Sequence, residues 1–412
     1  MTSRERVLNA INHKESDRIP LDLGSTRSSG ISGIAYNNLK KELGIKTGHT
    51  RVFDVVQQIA QVEEPIIERF GIDTLDIGRI YDTADNDWYD VHLSDGSVAQ
   101  WPVWFKPVKE GTELRFYDKE GFLIGRMPDG ATFFDQGTFP YLEDYPDNYD
   151  CFDADMSKVI WQKLSCAPWN HSNDPAFFDK LRANVLDMRK KTDKALVLAV
   201  GCNLFEWGTY LRRIDNFLMD IYSDPENVQK LLDKLLEKHM ATLDKVCSSI
   251  GDVVDIICFG DDLGMDTGMF MSKDHYRRFF KPREKLMCEY VHKHSKMHTM
   301  LHSCGSVFPI IDDFIDAGFE ILNPVQTSAR QMNPLSLKRE FGSSITFWGG
   351  GCNTRSVLNR STTEEVSDYV QKTIEIFAPG GGFVFNQEHN IMPDVPATNI
   401  LAMYEAVCRY KY

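Results

Sequence analysis

From about residue 175 onward, short and almost uninterrupted apolar runs alternate with longer stretches in which apolar positions recur every three to four residues. The runs at 195–200, 254–259, 296–301, 320–322, 345–348 and 383–385 read as strands buried on both faces. The stretches 174–191, 225–249, 274–294, 307–317, 363–377 and 396–409 carry the helical period. Such alternation predicts parallel strands joined by helical crossovers. Near the N-terminus, helical patterns at 4–12, 36–43 and 55–70 accompany two further strand candidates, 18–23 and 74–77. Eight parallel units in 412 residues favour an α/β fold closed as a (β/α)8 TIM barrel. An open doubly wound sheet fits less well, because no glycine-rich dinucleotide fingerprint follows the first strand.

The helical period vanishes between about 88 and 140. Asp95-Gly96, Glu110-Gly111, Glu120-Gly121 and Asp129-Gly130 punctuate short runs rich in Val, Trp, Phe and Tyr, a hairpin pattern. The expectation is one barrel domain over 1–412 with a β-hairpin-rich insertion at 88–140, after the second strand, serving as a lid or a dimer surface.

Composition narrows the class. Hydrophobic residues make up 42% and charged residues 26%, enough apolar material for a core. The net charge of −14, with no local basic stripe, argues against a nucleic-acid partner. No run approaches the roughly 18 apolar residues of a membrane span, and the opening Met1-Thr2-Ser3-Arg4-Glu5-Arg6 is charged where a secretory signal would be apolar. Nine scattered cysteines do not resemble a disulfide framework. A reducing, cytoplasmic location is expected.

In a barrel, chemistry collects at the C-terminal strand ends. Polar groups follow nearly every predicted strand here: Asn203 and Glu206, then Asp261 and Asp262, then His302 and Cys304, then Asn323 and Gln326, then Asn353, then Glu388 and His389. The sharpest motif is His302-x-Cys304, an imidazole and a thiol able to share one ion, with zinc the best match to nitrogen and sulfur donors. A third ligand must come from another strand end; His389 is the first choice, with Cys352 and Glu388 in reserve. The alternative is a buried His–Cys pair satisfied by hydrogen bonds. Asp261 and Asp262 are candidates for proton transfer, or one of them caps a helix. Asn203, Glu206, Asn323, Gln326 and Asn353 are candidates for lining a polar substrate pocket, and Trp169, Phe205 and Trp207 for stacking on a flat substrate.

The opening Arg6-Val7-Leu8-Asn9-Ala10, with Asp17-Arg18-Ile19-Pro20, and the later Gly318-Phe319-Glu320-Ile321-Leu322-Asn323 and Gly350-Gly351-Cys352-Asn353-Thr354 resemble the uroporphyrinogen decarboxylase superfamily of (β/α)8 barrels. The resemblance spans nearly the whole chain. That superfamily holds decarboxylases and cobamide-dependent methyltransferases. The decarboxylases carry an arginine-rich loop after the first strand; here 23–30 contains only Arg27, a candidate substrate contact. A polycarboxylate needs several cationic partners, so the resemblance points away from a decarboxylase-like lyase, which stays as the alternative. The methyltransferase branch carries His-x-Cys and a C-terminal cysteine as third zinc ligand; the matching position here is His389. Asp261-Asp262-Leu263-Gly264 and the insertion resemble the O-demethylase subgroup.

The resemblance therefore implies a zinc-dependent methyltransferase that moves a methyl group from a small donor, a methyl ether or similar, to the corrinoid (cobalamin) of a partner corrinoid protein. It also implies a homodimer. A metal-binding partner of such a system, without turnover, is a third reading.

Overall fold

The computed structural model describes residues 1–412. Its centre is a curled parallel sheet of seven strands: β1 (Thr74–Asp76), β2 (Ala195–Gly201), β3 (Ile256–Gly260), β4 (His298–His302), β5 (Ile321–Asn323), β6 (Thr346–Trp348) and β7 (Phe383–Val384). Each pairs with the next in chain order. The expected first strand is reduced to residues 20–22, and these bridge the two edges. Asp73 N–H donates to Leu21 O at 2.8 Å, while Phe385 N–H donates to Pro20 O and Asp22 N–H to Phe385 O, both at 2.9 Å. The ring closes through this segment, as in a TIM barrel. Pro20 has no N–H to donate, which keeps the pairing short.

Side-chain alternation divides the strands into two cores. Ala195, Val197, Ile256, Cys258, Met300, Ile321, Trp348 and Val384 form one cluster inside the ring, joined by Val7, Ala10 and Ile11 of the helix Ser3–Ile11. The intervening residues, among them Leu196, Ile257, Leu301, Leu322 and Phe347, pack outward in a cluster of 83 buried residues shared with the surrounding helices. This parity places the site: His302 lies two residues beyond Met300, and Asn323 two beyond Ile321, so both continue the interior face at the C-terminal mouth.

Two helix expectations change, and two helices after β2 were not expected. Only Glu64–Phe70 of 55–70 is helical, because the Asp54 carboxylate accepts the N–H groups of Val56 and Gln57 in a turn and Gln58 adopts a positive φ of 56°. The stretch 274–294 is two helices, Lys273–Phe279 and Lys281–His294, with Pro282 opening the second. The helices Phe205–Arg212 and Ile214–Ser223, unforeseen in the pattern, follow β2.

The expected hairpins appear after β1. Trp88–His92 pairs with Val98–Pro102, and Val108–Glu110, Glu113–Tyr117, Leu123–Pro128 and Asp135–Gln136 make an antiparallel sheet. Their turn glycines, Gly96, Gly111, Gly121 and Gly130, all have positive φ. Trp101, Phe105, Ile124 and Phe134 form a small core of their own with Val52, Val55, Ile160 and Leu164. No helix is long and apolar enough to cross a membrane.

Candidate active site

The mouth of the barrel brings His302, Cys304 and His389 together, with one ligand atom from each lying within 4.8 Å of the others. His302 ends β4, and its Nε2 is 3.4 Å from the Cys304 Sγ. That separation is close to the roughly 3.5 Å edge of a tetrahedral zinc site built at ordinary bond lengths. Both imidazoles are oriented from behind. His302 Nδ1–H donates to Asn323 Oδ1 at 2.7 Å, and His389 Nδ1–H donates to Asn390 Oδ1 at 2.7 Å. Each ring thus keeps Nε2 as a free lone pair, the arrangement metal-binding histidines use.

The supporting amides are themselves fixed. Asn323 is fully buried; its Nδ2 donates to Trp348 O at 2.9 Å, and its Oδ1 also accepts from Ser28 Oγ at 2.8 Å. Asn390 Nδ2 donates to Gln57 Oε1 at 2.8 Å, tying His389 to the turn that begins at Asp54. Asn323 is therefore positioned to hold His302 rather than to meet a ligand directly.

The two adjacent aspartates separate in role. Asp261 is buried, and its carboxylate accepts the N–H groups of Leu204, Phe205 and Glu206 at 3.1, 2.8 and 2.8 Å. It caps the start of Phe205–Arg212 from another strand end. Asp262 faces the trio: its Oδ1 accepts Cys304 N–H at 2.8 Å and lies 3.6 Å from His302 Nε2. Glu206 joins them, held by Asn203 Nδ2 at 2.5 Å.

Burial dominates the electrostatics. It pushes Glu206 well above the usual carboxylate range, and Asp262 and Asp261 add to the shift. It raises Asp261 to about 7 against the three N–H donors that favour its charged form. The Cys304 thiol is raised, first by burial and then by Asp262. His389 is lowered, first by burial and then by His302. Two imidazole nitrogens and a thiol beside carboxylates form a donor set that a divalent cation would complete. Nitrogen and sulfur donors suit zinc in particular.

The remaining candidates are placed as follows. Glu388 is buried and bound by Thr327 Oγ1 and by Ser328 N–H and Oγ, and Cys352 is buried outside the trio. Gln326 accepts Gly305 N–H at 2.9 Å and donates to Asp266 at 2.7 Å, so it shapes the turn after Cys304. Asn353 closes its own turn by accepting from Arg355 and Ser356 N–H. Phe205 is core, and the Trp169 indole donates to Ala199 O.

The sequence model of uroporphyrinogen decarboxylase (URO-D) matches residues 180–410, more than half of the chain and all three members of the trio. The chain belongs to the uroporphyrinogen decarboxylase family. Among solved structures, a methyltransferase from Methanosarcina mazei superposes with a TM-score of 0.55 at 16% identity, covering 99% of this chain and 98% of that one. A B12-independent methionine synthase from Shewanella sp. W3-18-1 gives a TM-score of 0.34 at 12% identity over 83% of this chain and 84% of that one. No curated protein sequence matches.

In this member of the URO-D family, Arg27 lies 2.6 Å from Asp54 Oδ2, donates to Cys166 Sγ at 3.2 Å and sits over the Trp161 ring. Its charge is already compensated. Three residues at the mouth escaped the sequence reading. Asn386, two beyond Val384 on the interior parity, is fully buried with neither amide atom bonded. Trp161 and Tyr210 are half-buried neighbours with ring centroids 6.4 Å apart. The interior parity of β7 was the signal available for Asn386. Trp161 and Tyr210 had none, because both depend on a contact between distant segments.

Proposed function

We propose that this URO-D family protein is a methyltransferase that uses zinc held by His302, Cys304 and His389 to activate a small methyl donor, a methyl ether or a similar compound, for transfer to the cobalt of a partner corrinoid protein. The observation that carries the reading is the convergence of those three side chains at the mouth, each imidazole with Nε2 left free. The fold shared with a Methanosarcina methyltransferase along nearly its full length is consistent with it. The lyase alternative is less well supported, since the one arginine of the 23–30 loop is already paired with Asp54.

Three protein ligands leave zinc a fourth position, and when bound there it supplies Lewis acidity that stabilises negative charge developing on the donor's heteroatom. The chain's own residues supply orientation. Asn323 and Asn390 hold the two imidazoles in one tautomer. Asp262, beside both His302 and the Cys304 backbone, positions the donor, and Glu206 with Asp262 makes a carboxyl pair able to deliver the proton that the leaving group needs. The partner's corrinoid, as methyl acceptor, would supply the electron pair for the new bond to the methyl carbon, while the carbon–oxygen pair would leave on oxygen and take up one proton from the Glu206–Asp262 pair. The mouth is where such a partner would dock, because His302, Cys304 and His389 are all partly exposed there.

The test is methyl transfer to cob(I)alamin by the zinc-loaded protein, followed by the loss of its absorbance, for the wild type and His302→Ala. Transfer that needs His302 is expected; equal rates in both would remove the metal from the reaction.

A further inference from the structure

The turn that follows β1 carries an arginine without an ion partner. Arg79 lies in the short 3-10 helix Ile77–Ile80. Burial lowers its pKa, and its side chain makes one hydrogen bond, from Nη2 to Val62 O at 3.2 Å. A guanidinium has five N–H donors, so most of these are unused. A recessed cation left in that state costs stability unless something completes it. Arg79 lines a cavity that is walled by Trp88, Pro102 and Trp104 of the hairpin insertion and by Asp76 and Gly78 of the barrel. The Trp88 indole donates to Asp82 O at 2.6 Å, which ties the insertion to the turn after β1. The two carboxyl groups of the cavity do not neutralise Arg79. Asp82 is engaged by His171 Nε2 at 3.0 Å and by Asn170 Nδ2 at 3.1 Å. Asp76 shares the cavity without forming a salt bridge to Arg79. Burial raises Asp76 to about 7, so near neutral pH it carries a proton part of the time and can donate it to a hydrogen bond. Gly78 lets this turn close up, since a Cβ there would lie 2.3 Å from Ala167 O and 2.8 Å from Asp76 Oδ2.

We propose that this seam between the insertion and the barrel is a binding site for a monocarboxylate, a second ligand distinct from the methyl donor, whose carboxylate accepts from the Arg79 guanidinium. A planar carboxylate matches the guanidinium fork. The cavity volume of about 20 Å³ holds one or two water-sized groups, which admits a carboxylate head and excludes a pyrophosphate or a ring. Asp76 and Asp82 disfavour a dianion there more than a monoanion. Water alone would leave the charge of Arg79 uncompensated. No residue lining the cavity belongs to the trio or to the Glu206–Asp262 pair, so the site stands whether or not the mouth transfers methyl groups. It also gives the insertion a use. A ligand held between Arg79 of the barrel and the wall of Trp88 and Trp104 bridges the two parts and stabilises their packing by mass action.

The experiment titrates sodium acetate into the zinc-loaded full chain by calorimetry at constant ionic strength. Acetamide serves as the uncharged isostere, sulfate as the dianion and N-acetylglycine as a carboxylate on a longer body. Acetate is expected to bind with a Kd in the millimolar range or below, and acetamide and sulfate at least tenfold more weakly. Arg79→Gln keeps a donor and loses the charge; it is expected to weaken acetate binding at least tenfold, and Arg79→Lys by less. Acetate is expected to raise the midpoint of thermal unfolding of the wild type and not that of Arg79→Gln. Tighter binding of acetate than of N-acetylglycine identifies a free short-chain acid as the ligand, and the reverse order identifies the carboxylate end of a longer molecule. Undetectable acetate binding overturns the proposal, as does unchanged affinity in an Arg79→Gln protein whose circular dichroism matches the wild type. The contrast between acetate and acetamide needs no variant, and equal binding of the two overturns the proposal even where Arg79→Gln does not fold. His302→Ala is expected to leave acetate affinity within twofold; acetate binding lost with His302 would place the anion on the metal and overturn the assignment to Arg79.

Discussion

Asn323→Ala probes the support behind the candidate metal centre without touching a ligand. In the wild type, Asn323 Oδ1 accepts from both His302 Nδ1–H and Ser28 Oγ, while its amide nitrogen is anchored on Trp348 O. Alanine removes all three interactions in a site that is fully buried. His302 can then rotate or adopt the other tautomer, turning Nε2 away from Cys304. Loss of a supporting hydrogen bond of this kind weakens metal binding by about 10–100-fold, or roughly 1.4–2.7 kcal/mol. The buried groups left unbonded also lower fold stability, by roughly 1–3 kcal/mol. The assay is competition for zinc against a chromophoric chelator at fixed pH, with a denaturant melt in parallel. Asn323→Asp keeps the acceptor oxygen and is expected to retain affinity better than alanine. Zinc affinity unchanged in Asn323→Ala would refute the claim that this amide positions His302 as a ligand.

Four further outcomes are expected. Asp261→Ala leaves the three N–H groups at the start of Phe205–Arg212 unbonded and should lower unfolding stability by roughly 2–4 kcal/mol, as read by urea denaturation. Gly305→Ala should lower both stability and zinc affinity, because Gly305 has φ +86° and a Cβ there would sit 2.3 Å from the Gly264 backbone; the αL conformation alone costs about 1–2 kcal/mol. Asn386→Leu replaces an unbonded buried amide and should raise the midpoint of thermal unfolding while slowing methyl transfer, the trade expected where a polar group is kept for a ligand. His239 is held down to about 4 by burial, so its contribution to stability is fully present above about 6.5 and is lost as pH falls toward 4, by about 3 kcal/mol in all; His239→Gln should flatten that part of the stability–pH curve.

The later strands were legible because strands buried on both faces leave continuous apolar runs. The structure places β2 to β7 within one or two residues of those runs. The first strand was only half legible, since residues 20–22 pair through a few main-chain bonds and contain a proline. The helical reading of 55–70 failed where a carboxylate-capped turn at Asp54 overrides periodicity. At the site, His302-x-Cys304 could be read from spacing, because a strand end projects both groups toward one side. That His389 meets them is a property of ring closure, which brings the end of β7 round toward β4. The cap made by Asp261 and the support given by Asn323 were not legible, since each joins neighbouring strand ends through side-chain geometry that composition does not encode.

The central claim is most directly tested by zinc K-edge X-ray absorption on the protein loaded with one equivalent of zinc. The account predicts a single sulfur, two imidazoles and one light-atom ligand that exchanges with added small molecules. A zinc shell without sulfur, or no stoichiometric uptake at all, would contradict it.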